Sequence, residues 1–347
     1  MHIPFCKQAC HYCNFHFTTS LFHKNELVTA LLKEIEMQKD FFEGEKINTI
    51  YFGGGTPSLL SIDDCQLLIG KIHQNFNVAT DAEITLEANP DDIDAAKLSG
   101  WIETGINRLS IGIQSFFEEE LKWMNRAHTA EQARESLQLA IKEFDNITID
   151  LIYGSLFLTN EMWQHNVQTA IQYGIPHLSC YALTVEEKTP LHKLIRLNNI
   201  KPVDSDKQAG QFLLLMEWLR VAGYEHYEVS NFAKPGYRSQ HNSSYWKGDK
   251  YLGIGPSAHS FTGYSRQWNV ANNQQYIASI IVGILPMETE LLTSADQLNE
   301  YIMISLRTME GMDLQVIEKK WGGEKSALIK KQLQPDGIAS DLFFGSP

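Results

Sequence analysis

The chain has 347 residues, of which 43% are hydrophobic and 20% are charged, and it carries a net charge of −13. This length allows one large domain with an appendage or two domains with their own cores. No apolar run approaches the ~20 residues of a membrane-spanning helix and no signal-peptide pattern begins the chain, so we expect a soluble, cytoplasmic protein without membrane insertion. The acidic charge and the absence of a basic run argue against a nucleic-acid partner.

Short β-rich segments alternate with longer amphipathic segments along the chain. The predicted strands are 2–5, 47–52, 83–87, 108–113, 147–152 and 177–183, with 224–230 as a possible seventh. The predicted helices, with apolar residues at spacings of three and four, are 25–42, 63–75, 92–103, 130–144, 161–173 and 206–222. A strand and a helix every ~30 to 45 residues are typical of βαβ units and a parallel sheet.

Polar or glycine-rich motifs follow or end these strands. The glycine run 53–55 follows the second strand, Glu87 and Gln114 end the third and fourth, and Asp150 and Ala182 lie within the fifth and sixth. Convergence of strand carboxyl ends on one site is typical of barrels, although open sheets also bind ligands at that edge. We predict an α/β fold built as a partial (β/α)6-type barrel, with a doubly wound open sheet as the alternative.

Three cysteines near the start of the chain form the most informative motif. Cys6, Cys10 and Cys13 have CxxxCxxC spacing. Thiolates are the usual ligands of iron–sulfur clusters, and three of them leave one iron of a four-iron cluster free for another ligand. The alternative is a structural zinc site, which needs four protein ligands and would take its fourth from a nearby histidine. The candidate histidines are His2, His11 and His16.

The ordered motifs resemble the radical S-adenosylmethionine superfamily, and more narrowly its branch containing oxygen-independent coproporphyrinogen III oxidase and the heme chaperone HemW. The motifs are HIPFCKQACHYC, YFGGGTPSLL, LEANP, INRLSIGIQSF, DLIYG, HLSCYALTVEEKTPL, YEHYEVSNFAKPG, HNSSYW and YLGIGPSAHSF. This resemblance covers nearly the whole chain. It implies a radical SAM barrel that binds a 4Fe-4S cluster and S-adenosylmethionine, and a partner that donates electrons to the cluster.

The resemblance also implies roles for individual residues. Cys6, Cys10 and Cys13 would bind three irons of the cluster, and the fourth iron would chelate S-adenosylmethionine. One electron from the reduced cluster would then cleave a carbon–sulfur bond and yield a 5′-deoxyadenosyl radical. The residues implied to contact S-adenosylmethionine are Tyr12, Gly53, Gly54, Gly55, Thr56, Glu87, Gln114, Arg126, Asp150 and Ala182.

Each of these positions also has a purely structural explanation. The glycine run 53–55 could form only a tight turn. Glu87 and Asp150 could cap the helices that follow them, and Arg126 could be a solvated surface residue. The motifs in combination favour the functional interpretation.

Two features distinguish the chaperone from the oxidase within this branch. The oxidase pattern has a further cysteine where this chain has Phe15, and it has a long N-terminal extension that this chain lacks. The segment 241–246 matches the HNxxYW motif of the HemW-like group, in which imidazole is suited to heme iron and aromatic rings to a porphyrin face. The residues implied to contact heme are His241, Asn242, Tyr245 and Trp246.

The resemblance therefore implies a heme chaperone that carries heme as cargo to an acceptor hemoprotein, which we expect to be a respiratory one. His259 is a second candidate for contacting heme. The alternative is oxidative decarboxylation of coproporphyrinogen III to protoporphyrinogen IX. A third class is a binding protein with a purely structural cluster, and the structural explanation of His241 is a histidine hydrogen-bonded in a loop beside core aromatics.

The motif positions predict two domains and show three departures from the family pattern. Residues 1–230 should form the barrel, and 231–347 a HemN-type C-terminal α+β domain after the linker-like segment 232–236. The tyrosine that usually precedes the HIPFC run is missing, and residues 155–159 read SLFLT in place of a Leu-Pro-Gly-Gln-Thr-like turn. The C-terminal domain is expected to be shortened, with little helix between Leu314 and residues 337–341.

Overall fold

A computed structural model describes residues 1–333 and contains a mostly parallel central sheet. Its strands are β1 (His2–Ile3), β2 (Ile47–Gly54), β3 (Val78–Ala88), β4 (Arg108–Gln114), β5 (Ile147–Tyr153), β6 (His177–Ala182), β7 (Glu225–Glu228) and β8 (Asn231–Ala233). The order across the sheet is β1-β2-β3-β4-β5-β6-β8-β7. The first six strands pair in parallel, and β8 lies antiparallel between β6 and β7. The predicted α/β fold with a parallel sheet is confirmed.

Helices connect the strands and follow them in the C-terminal part. They are α1 (Lys24–Met37), α2 (Ile62–Asn75), α3 (Ala95–Glu103), α4 (Glu118–Trp123), α5 (Ala130–Glu143), α6 (Asn160–Gln172), α7 (Pro190–Arg196), α8 (Ser205–Val221), α9 (Gln240–Lys247), α10 (Asn273–Ile281), α11 (Ser294–Ser305), α12 (Leu314–Trp321) and α13 (Gly323–Gln332). A second, antiparallel sheet has the order β11-β10-β9, formed by β9 (His259–Phe261), β10 (Ser265–Asn269) and β11 (Met287–Leu291).

Capping residues set several helix boundaries. Ser61 and Thr129 form capping boxes at the starts of α2 and α5. The helix predicted for 92–103 begins only at Ala95, because the Asp94 side chain accepts a hydrogen bond from the Lys97 amide and caps it. The helix predicted for 25–42 ends at Met37.

The two faces of the parallel strands differ in chemistry, and this difference positions the site. Ile84 and Leu86 of β3 belong to the apolar core with the helices. Glu83, Thr85 and Glu87 alternate with them and point to the opposite, inner face. Parallel strands buried on both faces usually read as continuous apolar runs. The alternation here is therefore a sign that the inner face has a polar role.

The sheet continues past residue 230, where we expected the barrel domain to end. Phe232 lies in β8, is 1% exposed and stacks on His226 with ring centroids 4.2 Å apart. The segment 232–236, which has a linker-like composition, thus begins as a buried strand. Composition did not show this because β8 also pairs with β6, which lies much earlier in the chain, and that pairing leaves no local sequence pattern.

The expectation of little helix after Leu314 is wrong for the described residues. Helices α12 and α13 occupy 314–332, and the Asp313 side chain caps α12 by accepting from the Gln315 amide. Residues 337–341 lie outside the described residues. Within 1–333, no helix is both long enough and apolar enough to cross a membrane.

Candidate functional site

The three cysteines of the motif lie on the loop between β1 and α1, and all three are free and partly buried. The Cys6 amide donates to the Thr18 carbonyl at 3.0 Å, and the Cys13 amide to the Cys10 carbonyl at 3.3 Å. Burial, with smaller contributions from the neighbouring Cys13 and Cys10, raises the pKa of the Cys6 thiol to about 11. The loop therefore brings the three sulfur ligands into one neighbourhood, as a shared cluster requires.

The histidines near this loop are engaged elsewhere. His2 Nε2 lies 2.8 Å from the His16 carbonyl, and His11 Nδ1 lies 2.8 Å from the Trp123 carbonyl. His16 Nε2 lies 2.7 Å from Asn273 Oδ1. Among residues 1–333, no three His, Cys, Asp or Glu side chains converge on the position of one metal ion. Each of the three histidines therefore already has an oxygen partner for one ring nitrogen.

The glycine run packs against the start of the chain, so it is more than a tight turn. Gly54 has φ +106°, and a Cβ added there would lie 2.8 Å from the His2 ring. A Cβ on Gly55 would lie 2.6 Å from the Phe5 carbonyl oxygen. The Thr56 amide donates to that carbonyl, and its hydroxyl lies 3.5 Å from Cys6 Sγ. The glycines thus allow the cysteine loop to lie against the carboxyl end of β2.

Glu87 faces the inner side of the sheet and does not cap a helix. Its carboxylate accepts hydrogen bonds from the Tyr51 hydroxyl at 2.7 Å and from the Gly54 amide at 3.1 Å. Burial raises the pKa of Glu87. Sequence analysis did not identify Tyr51. The period of two along β2 could have found it, because Tyr51 shares a strand face with Gly53.

Asp150 is also on the inner face and caps no helix, since Thr159 caps the following helix α6. Burial, with a further contribution from Glu87, raises the pKa of Asp150 to about 7. Gln114 ends β4 with φ +65° and is buried. A non-glycine residue in this conformation is strained, which is frequent at functional sites.

Arg126 is not a solvated surface residue. Its Nη2 donates to Asn89 Oδ1 at 2.6 Å and to the Gly112 carbonyl at 2.8 Å, and its Nη1 lies 3.4 Å from Cys10 Sγ. A Cβ on Gly112 would lie 3.0 Å from Nη2, so this glycine gives the guanidinium its space. A fixed cation beside a cysteine sulfur fits a ligand set that must carry thiolate charge.

The other two residues implied to contact S-adenosylmethionine lie around this edge. Tyr12 packs against a small apolar cluster that includes Met124 and Leu183. Ala182 is the last residue of β6 and is partly buried. The nearby segment 155–159 differs from the family pattern, and it is anchored by a hydrogen bond from the Ser155 hydroxyl to the Glu120 carboxylate.

The HNxxYW motif lies on helix α9, and not in a loop as in the structural alternative for His241. His241 Nδ1 lies 2.8 Å from Thr49 Oγ1, and Nε2 lies 3.0 Å from the Tyr245 hydroxyl. The imidazole stacks on Tyr51 with centroids 4.7 Å apart and planes at 16°. Burial lowers the pKa of His241 to about 3, which favours the neutral ring.

A buried carboxylate holds the start of α9 against the inner face of the sheet. Glu83 accepts hydrogen bonds from the Gln240 amide at 3.1 Å and the His241 amide at 3.0 Å. It also lies 3.7 Å from the Arg108 guanidinium. A carboxylate at a helix N-terminus pairs with unsatisfied amides and with the helix dipole. Sequence analysis did not predict this contact, because Glu83 and the start of α9 are far apart in the chain.

A cavity of about 890 Å³ lies beside β2 and contains part of the motif. Its wall includes Thr49, Tyr51, His241 and Trp246. The Arg307 guanidinium lies over the Trp246 ring at 5.6 Å. The motif residues Asn242 and Tyr245 and the second candidate His259 do not line this cavity. The three cysteines and the glycine run 53–55 are outside it too, so the cavity and the cysteine edge are neighbouring but separate.

Comparisons with known proteins agree with this geometry. The family model described as the radical SAM superfamily matches residues 1–185. The heme chaperone HemW of Lactococcus lactis is 33% identical over 337 residues, covering 96% of this chain and 87% of that protein. The Bacillus subtilis heme chaperone HemW is 32% identical, covering 96% and 89%. The Escherichia coli heme chaperone HemW is 38% identical over 267 residues, covering 75% and 68%.

One solved structure has the same fold over most of its length. Coproporphyrinogen III oxidase (HemN) from Escherichia coli superposes with a TM-score of 0.82 and covers 96% of this chain and 80% of that chain. Sequence identity to it is 24%. This similarity supports the partial-barrel architecture with an appended C-terminal region.

Proposed function

Because this chain belongs to the radical SAM superfamily and, within it, to the family of HemW heme chaperones, we propose that it binds heme and delivers it to an acceptor hemoprotein. The carrying observation is the cavity of about 890 Å³ with His241 and Trp246 in its wall. Ligand sites commonly have volumes of roughly 300–1,000 Å³. The cavity is therefore large enough for a molecule of the porphyrin class, and its wall contains both an imidazole and an indole.

The hydrogen bonds of His241 favour Nε2 as the nitrogen that would bind the iron. Nδ1 of His241 is held by Thr49 on β2, whereas Nε2 contacts only the Tyr245 hydroxyl, one helical turn away. Coordination through Nε2 requires the Tyr245 hydroxyl to move away. Tyr245 is partly exposed, and its rotation would break an edge-on contact with Tyr251, whose ring centroid lies 4.8 Å away. The neutral imidazole has the lone pair that iron needs.

We further propose that Cys6, Cys10 and Cys13 hold a 4Fe-4S cluster and that S-adenosylmethionine binds at the adjoining strand edge. When bound and reduced by an electron donor, the cluster supplies one electron for cleavage of a carbon–sulfur bond. Arg126 balances the charge of the cysteine ligands, as its contact with Cys10 indicates. Glu87 and Asp150 present carboxylates on the inner face to the hydroxyl or amino donors of the bound molecule.

The direct test is heme transfer to an apo-hemoprotein, for example an apo respiratory hemoprotein. Heme-loaded protein is mixed with the acceptor, and the acceptor's heme absorbance is followed. We expect transfer from the unmodified protein and strongly reduced loading and transfer for His241→Ala. His259→Ala is the matched control, because His259 lies outside the cavity wall and its loss should leave transfer intact. Undiminished transfer from His241→Ala contradicts the proposal.

The second candidate function is oxidative decarboxylation of coproporphyrinogen III. The observation that favours it is the shared fold with coproporphyrinogen III oxidase from Escherichia coli, at a TM-score of 0.82. Phe15, which stands where the oxidase pattern has a cysteine, is 66% exposed on the cysteine loop and cannot supply a further sulfur ligand. An anaerobic assay with coproporphyrinogen III and S-adenosylmethionine decides between them. Formation of protoporphyrinogen would establish the oxidase activity.

A further inference from the structure

Tyr51 contacts one residue from each of the two predicted ligand sets, although no sequence motif assigned it a role. Its hydroxyl donates to Glu87 Oε1 at 2.7 Å, and Glu87 belongs to the set predicted for S-adenosylmethionine. Its ring stacks on His241, which belongs to the set predicted for heme. We call this row of three side chains the Glu87–Tyr51–His241 bridge. Tyr51 also forms part of the cavity wall, whereas Glu87 does not.

Both ends of the bridge are anchored to the parallel sheet. The second carboxylate oxygen of Glu87 accepts from the Gly54 amide at 3.1 Å. On the other side, Thr49 of β2 holds His241 Nδ1 at 2.8 Å. Tyr51 lies between these anchors with its backbone in β2. The hydrogen bond to Glu87 therefore orients the Tyr51 ring, and the orientation of the His241 imidazole depends in part on its stacking against that ring.

We propose that Tyr51 is a positioning residue that couples the two sites, so that S-adenosylmethionine bound at Glu87 strengthens heme binding at His241. The proposal rests on the function proposed above. A donor group of bound S-adenosylmethionine that hydrogen-bonds to the Glu87 carboxylate also restricts the motion of the Tyr51 hydroxyl and ring. Heme then binds an imidazole that is already oriented, and fewer side chains lose freedom in the process. Linkage requires that heme strengthens S-adenosylmethionine binding by the same factor.

The coupling is measured by titrating hemin into the cluster-reconstituted protein under anaerobic conditions, with and without saturating S-adenosylmethionine. The Soret band reports binding. Immobilising one or two side chains in advance predicts a decrease of about three- to tenfold in the Kd for hemin when S-adenosylmethionine is present. Tyr51→Phe keeps the stacked ring and removes the hydroxyl, so its Kd should be the same in both conditions. Tyr51→Leu removes the ring as well and should bind hemin more weakly in both.

Two further variants separate coupling from general damage. Tyr264→Phe removes the hydroxyl of an exposed tyrosine between two strands of the second sheet. The ratio of its Kd for hemin without S-adenosylmethionine to that with S-adenosylmethionine should equal the ratio for the unmodified protein. Thr49→Val removes the anchor of Nδ1 but leaves the contact between Tyr51 and Glu87, so it should weaken hemin binding and retain a ratio above one. This variant keeps the proposal testable should Tyr51→Phe fold poorly.

The outcomes for the coupling and for the proposed function are distinguishable. Unmodified protein that binds hemin and S-adenosylmethionine with independent affinities overturns the coupling and leaves the function standing. A ratio that is unchanged in Tyr51→Phe overturns the role of Tyr51. Unmodified protein that binds no hemin overturns the function itself.

Discussion

The cysteine edge and the cavity beside β2 are assembled in different ways. At the cysteine edge, the three proposed cluster ligands lie on one loop, and Gly54, Gly55 and Thr56 pack closely against the segment that precedes it. At the cavity, His241 comes from a helix far along the chain and is positioned by side chains of β2 and β3. The first site is therefore local in sequence and supported by backbone geometry, and the second depends on long-range side-chain contacts.

This comparison predicts first that the two sites can be lost separately. The triple variant Cys6→Ala, Cys10→Ala, Cys13→Ala should retain no cluster, because all three sulfur ligands are removed. Its hemin affinity without S-adenosylmethionine should stay within about threefold of the unmodified value, since no cysteine lines the cavity. Iron and sulfide quantification and hemin titration measure the two effects. Loss of hemin binding in this variant would show that the sites are one unit.

The second prediction concerns Glu83, which orients the helix that carries His241. Glu83→Gln leaves the buried Arg108 without a charged partner and weakens the hold on the α9 amides. Removing one partner of a buried ion pair costs on the order of 3–5 kcal/mol. The free energy of unfolding in urea should decrease accordingly. Glu217→Gln, which breaks an exposed pair with Arg220, is the control and should leave the free energy of unfolding nearly unchanged, because water and salt screen exposed ion pairs.

A third prediction tests the backbone basis of the cysteine edge. Gly54→Ala places a Cβ 2.8 Å from the His2 ring at φ +106°, so we expect a loss of roughly 1–3 kcal/mol in stability together with weaker cluster retention. Gly70→Ala is matched, because Gly70 lies in helix α2 with open space around its Cβ position. It should stabilise the protein by up to about 1 kcal/mol. Equal effects of the two changes would contradict this account.

The fourth prediction is a pH dependence that arises from Asp150. Its pKa is about 7 in the folded protein, above the value in the unfolded chain, so the folded state binds the extra proton. The contribution of Asp150 to stability is complete below the unfolded pKa and is lost as the pH rises through about 7. Asp150→Asn should therefore flatten the decline of unfolding free energy between pH 4 and pH 8. An identical pH profile in the variant would show that Asp150 does not titrate in this range.

Residues that lie close together in sequence were predicted most fully. The spacing of Cys6, Cys10 and Cys13, the glycine run and the alternation of strands and helices are local patterns. They gave the first residue of five of the six parallel strands correctly and every other strand end to within five residues. Glu87 and Asp150 were predicted to contact S-adenosylmethionine from the family resemblance, but whether they cap helices or face the site depends on strand register. In the structure both side chains face the inner side of the sheet. Glu87 accepts a hydrogen bond from the Tyr51 hydroxyl, and the cap of helix α6 is Thr159 and not Asp150.

The sequence by itself determined the motif chemistry, the α/β class and the family, because these follow from residue type and short-range spacing. Only the tertiary structure decided that Tyr51 stacks on His241, that Glu83 holds α9 and that the strand β8 follows the expected boundary at 230. Each of these contacts joins residues of different strands or helices. These contacts form only when the folded sheet brings segments that are distant in the chain close together. No pattern along a single segment contains that information.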